Sequence, residues 1–569
     1  STSLSKSYQL KRNRMKNIFN KILVLFTATF IAAGCIEETY PESQAILKDQ
    51  LTIEGLVNSF SVTMMTPDMC QFLSSYGSQA DFGMPAIHIM TDAMCEDIAV
   101  MGANPGYFQF YPWAYNLGMD DQSWPTGYFW EHYYKYIKIS NDVIKWIDKE
   151  EEFLDSYNNY LGQAYTYRAM CYLDLARLYE PKENNYTDVS DVLGLTVPIV
   201  TEYTTEKETT NNPRMPREEV YSLILSDLEK AESYLKNSGN SFSSPNLGAV
   251  YGLYARAYLE MGYWDKGIDN LLNAAEYARK AISTSGRTPL TEAQWTDPIT
   301  GFNDGEANNS WIWGLTVAEE NLINLVAFNA HLCCEALYGY SSYSYPGINK
   351  ALYDNMHKKD FRKKSFLDPQ YTWNPWHQNY QEDNVYKFAP KGQWLESFLY
   401  YNAVPYTSIK FRPAKGECID YNTGNAADCP LMRVEEMYFI EMEAYAAMGN
   451  LSKAKELLNS FMKFRVTDGS YDCSLLATDF ETYTDEMLLQ KRAEFWGEGI
   501  VIYDYKRLDK GITRHYTDSN HPSIWQFNTE GRSPQWNLVI NRGEYQSNIG
   551  IDESTNNPDP SGLLVVPKN

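Results

Sequence analysis

"ARAYLEMGYWDKGIDNLLNAAEYA" (residues 255–278) and "MEAYAAMGNLSKAKELLNSFMK" (residues 442–463) state one pattern twice, at a constant offset of 187 positions. Tyr258 aligns with Tyr445, Gly262 with Gly449, Gly267 with Ala454 and Leu271 with Leu458. A Gly at a turn and a small residue on the helix that follows let two antiparallel helices approach closely. Each copy therefore reads as a helical hairpin, a unit that buries its apolar face only against a neighbour.

These residues fall at the spacing of the tetratricopeptide repeat. With two clear copies, the remaining repeats are expected to be degenerate and interleaved with loops. Outward from them, helical periodicity dominates. Trp130, Tyr134, Ile137, Val143 and Ile144 lie near one stripe, and Leu161, Tyr165, Ala169, Leu173 and Ala176 near another. "PRMPR" at 213–217 is a Pro-punctuated entry to the next helix. Residues 181–212 read as a loop-rich excursion with a short β-prone run. From about Gly286 to Pro430 the periodicity breaks and Trp, Tyr, Asn, Gly and Pro gather; helices resume at Leu431. The expected fold is mainly α, with tetratricopeptide-like hairpins supporting a loop-rich lobe that carries a few short strands. An N-terminal part over 35–285 and a C-terminal part over 286–569 are expected.

The 569 residues have a globular composition, 44% hydrophobic and 21% charged. A net charge of −24 argues against nucleic acid, whose binding relies on Lys and Arg releasing counterions. Residues 1–34 hold six bases and no acid, so without them the charge becomes −30. So acidic a chain is repelled by an anionic membrane and needs a covalent anchor to stay on one. "MKNIFNKILVLFTATFIAAGC" (15–35) has a basic start, an apolar run from Ile22 to Ala33 and small residues before Cys35, the anatomy of an export signal. Residues 15–34 are expected to be the signal peptide. Residues 1–14 precede a good start at Met15 and read as an upstream mis-start or a segment added in cloning. "AAGC" resembles the bacterial lipobox, in which the Cys carries the lipid, so Cys35 is the expected lipidation site; Ala32 stands where Leu is commoner. The other eight cysteines show no CxxC, and Cys418 and Cys429 flank a loop that could carry a disulfide in an oxidising compartment.

Reaction machinery is not visible. HExxH, GxSxG, GxGxxG and Walker patterns are absent, and the seven His do not fall at metal-ligand spacings. "YLDLARLYE" and "MYFIEMEAY" place acids on apolar helices, which Arg pairing or exposure explains more cheaply than a glycosidase pair. No catalytic residue, cofactor or metal is expected. The aromatics carry more information: Tyr outnumbers Phe 45 to 24, beside 14 Trp. Trp and Tyr stack on the apolar faces of sugar rings while nearby Asp and Asn bond the hydroxyls. Three loop clusters qualify: Tyr111, Trp113, Tyr115 with Trp124; Tyr338, Tyr340, Tyr343 and Tyr345; and Trp373, Trp376 and Tyr380. For any single ring, local packing is the competing reading. Within 107–136 the rings from about Tyr128 onward repeat at helical spacing, while Pro112, Gly118, Pro125 and Gly127 break any period before it. The candidate stacking residues are Trp113, Tyr115, Trp124, Tyr340, Tyr343 and Trp376, with Asn116, Asp120 and Asp121 as hydroxyl partners.

The order of elements resembles the SusD/RagB family of outer-membrane nutrient-binding lipoproteins over nearly all the chain from Cys35. "MTDAMCEDI" with Asp92 is similar to the family's early Asp segment. "FWEHYYKYIKISNDVIKWI" is similar to its helix with Trp130, Tyr134, Ile137 and Asn141. "YRAMCYLDLARLYE" followed by "GLTVPIVTEY" matches the next stretch, with Glu180 and Val197 as departures. "KRAEFWGEGIVIYDYKRLDKG" resembles the C-terminal motif through Arg492, Glu494, Glu498, Gly499, Asp504 and Arg507; the motif's Arg after Gly499 is missing, Ile500 standing there. "CIEETYPES" resembles the acidic signal that sends such lipoproteins to the cell surface in Bacteroidetes-type bacteria. The resemblance implies a SusD-like helical fold, an oligosaccharide ligand bound without cleavage, and a SusC-like TonB-dependent transporter as partner; some relatives bind peptides. It implies that Trp130, Tyr134, Arg492 and Asp504 are structural.

Overall fold

The computed structural model describes residues 52–65, 80–102, 108, 110, 117–264, 267–319, 327–369 and 404–563. The chain divides into Ser1–Leu56 and Val57–Asn569. Of the first, residues 52–56 are described, and they open helix α1 (Ile53–Thr63). The longer helices that follow are α2 (Met84–Ala93), α3 (Trp124–Asp148), α4 (Asp155–Tyr179), α5 (Arg217–Leu235), α6 (Leu247–Gly262), α7 (Ile268–Ser285), α8 (Val434–Ala447), α9 (Leu451–Met462), α10 (Phe480–Glu494) and α11 (Val501–Leu508). From α4 to α11 each packs on the one before it in this order. The stack is mainly α, built of tetratricopeptide-like hairpins, and the two copies of the repeat are α6–α7 and α8–α9.

The residues that align between the copies set the hairpin geometry. A Cβ on Gly262 would lie 2.3 Å from Leu271 Cδ2, and one on Gly267 would lie 2.2 Å from the Gly262 carbonyl oxygen. In the second copy Gly449 takes φ 83°, and the fully buried Ala454 is accommodated. Ala therefore fits one copy and clashes with backbone in the other. Gly267→Ala is expected to cost about 1–3 kcal/mol, read as a lowered urea midpoint; an unchanged midpoint would show that the first turn opens freely.

After α7 the chain leaves the stack through Gly286 in the left-handed conformation and returns at α8, which packs directly on α7. The excursion between them forms the loop-rich lobe. It holds β2 (Trp311–Leu315), antiparallel to β4 (Cys429–Arg433), and β3 (Pro346–Ile348), antiparallel to β1 (Ile98–Val100) from the N-terminal half. Helix therefore resumes at Val434 rather than Leu431, because pairing with Trp311–Leu315 claims Cys429–Arg433 as strand. The β-prone run at 194–203 makes one isolated bridge, Leu195 to Pro216. Cys418 and Cys429 are buried thiols facing the carbonyls of Gly416 and Pro430 at 3.6 and 3.8 Å, not a bridge.

Where β4 returns to the stack the core is ionic. Glu494 accepts from Arg362 at 3.1 Å, from Arg433 at 3.0 Å and from Arg465 at 2.7 Å, with all four side chains 0% exposed. Glu498 accepts from Arg433 at 2.9 Å and Lys410 at 2.7 Å. Burial opposes ionisation of both acids, and the surrounding cations overcome it, holding both carboxyls below their usual range.

Candidate functional site

In the loop-rich lobe, helix Phe328–Leu332 carries His331 into a stack of rings. Its imidazole lies 5.0 Å from the Phe82 ring at 21° and 5.0 Å from the Tyr340 ring at 28°, with Phe110 edge-on at 5.5 Å. Phe108 packs on Phe110 at 5.1 Å. His331 Nδ1 donates to the Ala327 carbonyl at 2.8 Å, and burial pushes its pKa down to about 4, so the ring is neutral. The stack joins Phe108 and Phe110 to the tyrosine-rich stretch at 338–345.

Backbone contacts make the same connection. The amides of Met101 and Gly102, at the end of β1, donate to the carbonyls of Tyr345 (3.2 Å) and Ser344 (2.9 Å). A Cβ on Gly102 would sit 2.3 Å from the Tyr343 carbonyl, so only Gly allows this approach. Within the turn, Tyr340 and Tyr345 are half-buried and Tyr343 is 57% exposed. Tyr345 has φ 47°, which ends the short helix Ser341–Ser344 and turns the chain into β3. Beside the end of β1 lies a hollow of about 430 Å³, lined in part by Val100, Met101, Val404, Tyr406 and Asn520.

The start of α3 forms a second cluster. Asp120 accepts from the Gln122 amide at 2.9 Å, shaping the turn into the helix. Asp121 accepts from Arg542 at 3.2 Å and from the Tyr545 hydroxyl. Trp124 is not on a loop as expected: it opens α3, where Pro125 is tolerated in the first turn, and it is half-buried and stacks one turn on, on Tyr128, at 4.6 Å and 19°. The structure thus places Tyr340 on one side of His331 and Phe110 on another, leaves Tyr343 exposed, and joins Asp121 to Arg542 and Tyr545. Trp113, Tyr115, Asn116, Trp376 and Cys35 lie outside the described residues. His331, Arg542 and Tyr545 were not among the sequence candidates. A lone His in an apolar run carries no spacing signal, and Arg542 meets Asp121 from 421 positions away.

The acids on apolar helices are used as ion pairs. Asp174 pairs with Arg177 at 2.5 Å, Glu180 with Lys182 at 2.9 Å, and Glu443 with Arg507 at 2.7 Å; Glu441 pairs with Arg279. Among the described residues no group of three His, Cys, Asp or Glu could hold a metal ion, and no helix is long and apolar enough to cross a membrane.

Residues 58–259 match the family model described as "Starch-binding associating with outer membrane", and residues 271–549 match the model of the SusD family. The chain belongs to the SusD family. SusD-like protein P38 of Formosa agariphila is 24% identical over 402 residues, covering 67% of this chain and 72% of that one. A SusD-like carbohydrate binding protein from Bacteroides vulgatus superposes with a TM-score of 0.66 at 21% identity, covering 88% of this chain and 97% of that one. Surface glycan-binding protein A from Bacteroides thetaiotaomicron, solved in complex with laminarihexaose, gives 0.60 at 16% identity, covering 88% and 97%. At such identities these structures establish the SusD fold. In it, the residues of the SusD resemblance serve packing: Trp130 Nε1 donates to Glu544 at 3.0 Å, the Tyr134 hydroxyl to the Pro198 carbonyl at 2.6 Å, Arg492 to Asp97 at 2.6 Å and Lys491 to Asp504 at 2.8 Å.

Proposed function

We propose that this SusD-family protein is a cell-surface lipoprotein, anchored through Cys35, that captures oligosaccharide by aromatic stacking and delivers it uncleaved to a SusC-like TonB-dependent transporter. The observation that carries the reading is the His331 stack, in which one imidazole holds both Tyr340 and Phe110, beside a Tyr343 that is left exposed. Rings preset in this way bind a sugar face without ordering cost at the moment of binding. Trp113, Tyr115, Trp124 and Trp376 are proposed to extend the rim, with Asn116, Asp120 and Asp121 bonding hydroxyls. The laminarihexaose complex of a protein with this fold supports a glycan as ligand.

A glycan array run beside a peptide library on the intact protein tests the reading. Retention of glycans alone is expected; peptide retention with a blank array would move the protein to the peptide-binding relatives. Within a glycan-binding result, Tyr343→Ala and Trp113→Ala are each expected to weaken affinity about tenfold. For Tyr343→Ala the thermal midpoint should hold, since the ring is mostly exposed. Tyr340→Ala should lower both, because its ring also packs on His331. Equal affinity in all three variants would remove the rim from the site.

A further inference from the structure

The two family-matched halves meet at a buried cavity of about 20 Å³, lined by His88, Thr91, Asp174, Arg177, Arg256 and Tyr503 among others. Helices α2, α4 and α6 supply the first five of these and α11 supplies Tyr503. Two side-chain atoms there lack a protein partner: His88 Nδ1 and Arg177 Nε. Both side chains are about nine-tenths buried, His88 at 8% exposure and the Arg177 side chain at 8%. The Arg177 guanidinium lies 3.5 Å from the centre of the Tyr503 ring and donates from Nη2 to Asp174, which fixes the direction of Nε–H.

We infer that this cavity is a binding site for one resident water molecule, which accepts from Arg177 Nε–H and donates to His88 Nδ1. Size decides against anything larger, since one water needs roughly 10–15 Å³ of such space. Charge decides against an ion: Arg177 is paired with Asp174, and Arg256 with Glu436 at 2.6 Å, so the walls carry no uncompensated charge. Chemistry sets the orientation: the guanidinium offers only donors, so the water accepts there and its O–H is left for His88 Nδ1, the acceptor of the neutral ring in its Nε2–H tautomer. The water completes a hydrogen-bonded path from α4 to α2, and so closes the N-terminal helices over the turn at Gly499 that leads into α11.

A crystal structure of the intact protein with ordered surface waters, repeated after a bromide soak, tests this. One full-occupancy oxygen is expected within hydrogen-bond distance of both Arg177 Nε and His88 Nδ1, without bromide signal. No peak there while the lining side chains keep their places would overturn the inference, and so would a bromide peak, which would mean an anion. Oxygen-17 relaxation dispersion in solution supplies an independent readout. His88→Phe keeps a ring and removes the acceptor, so one long-lived water should be lost from the dispersion of the folded variant; an unchanged amplitude counts against the site.

Discussion

Exchanging Glu494 for Gln is expected to remove about 3–5 kcal/mol of folding stability, the cost of breaking a buried ion pair by neutralising one partner. The reason is the company this carboxylate keeps. Arg362, Arg433 and Arg465 all donate to it in a site with 0% exposure, and a Gln amide would present donors to guanidiniums that need acceptors. Glu435 and Asp360 remain to hold Arg465 and Arg362. The loss should therefore stop short of what three orphaned cations would cost. Urea unfolding with an unchanged slope and a lower midpoint is the expected result. A shift under about 1 kcal/mol, the size of a surface pair, would mean the network is hydrated.

Acidification below about pH 6.5 is expected to destabilise the fold through its buried imidazoles. Burial penalises the imidazolium form, so His88 and His331 titrate at about 4 in the folded protein, and His132 and His521 at about 3. For His88, Asp174 and Glu498 oppose the shift without cancelling it. In the unfolded chain each takes its proton near the ordinary value of 6.5. Between the two values the unfolded state binds more protons. The contribution is therefore full above pH 6.5 and falls as the pH drops, by up to about 1.4 kcal/mol per pH unit for each His. Glu494 and Glu498, held below their usual range, keep their charge through this window. Asp428, pushed up to about 6 by burial, and Asp92, Asp227 and Glu96, raised by burial, take protons in the folded state and act in the opposite sense. Unfolding free energies measured from about pH 7 to about pH 5 should slope downward, and His331→Phe should flatten the slope by one residue's share. The same slope in His331→Phe as in the unaltered protein would refute neutral burial of that ring.

Much of the architecture was legible in the chain itself. The hairpins follow from Gly262, Gly267 and Ala454, where small residues let the helices approach, and from Gly449, whose φ of 83° favours glycine. The acids within "YLDLARLYE" and "MYFIEMEAY" could be read as ion-paired, since charges on apolar helices have few other ways to be tolerated. The break after Gly286 was equally readable, as a loss of period, while its left-handed cap is a finding of the structure.

The rim divides differently. Tyr340 and Tyr343 could be nominated from composition and broken periodicity, both local properties. That His331 faces Phe82 and Phe110, and that Asp121 is met by Arg542, are facts about segments brought together from far apart in the chain. No pattern in one sequence records them. β4 shows the same limit: "CPLMR" takes strand geometry because "WIWGL" arrives beside it, from more than a hundred positions upstream. Periodicity and residue size determined the hairpins of the stack, because the two helices of a hairpin are neighbours in sequence. The disposition of the lobe and its rings was decided only in the tertiary structure, where long-range packing chooses which faces remain open to a ligand.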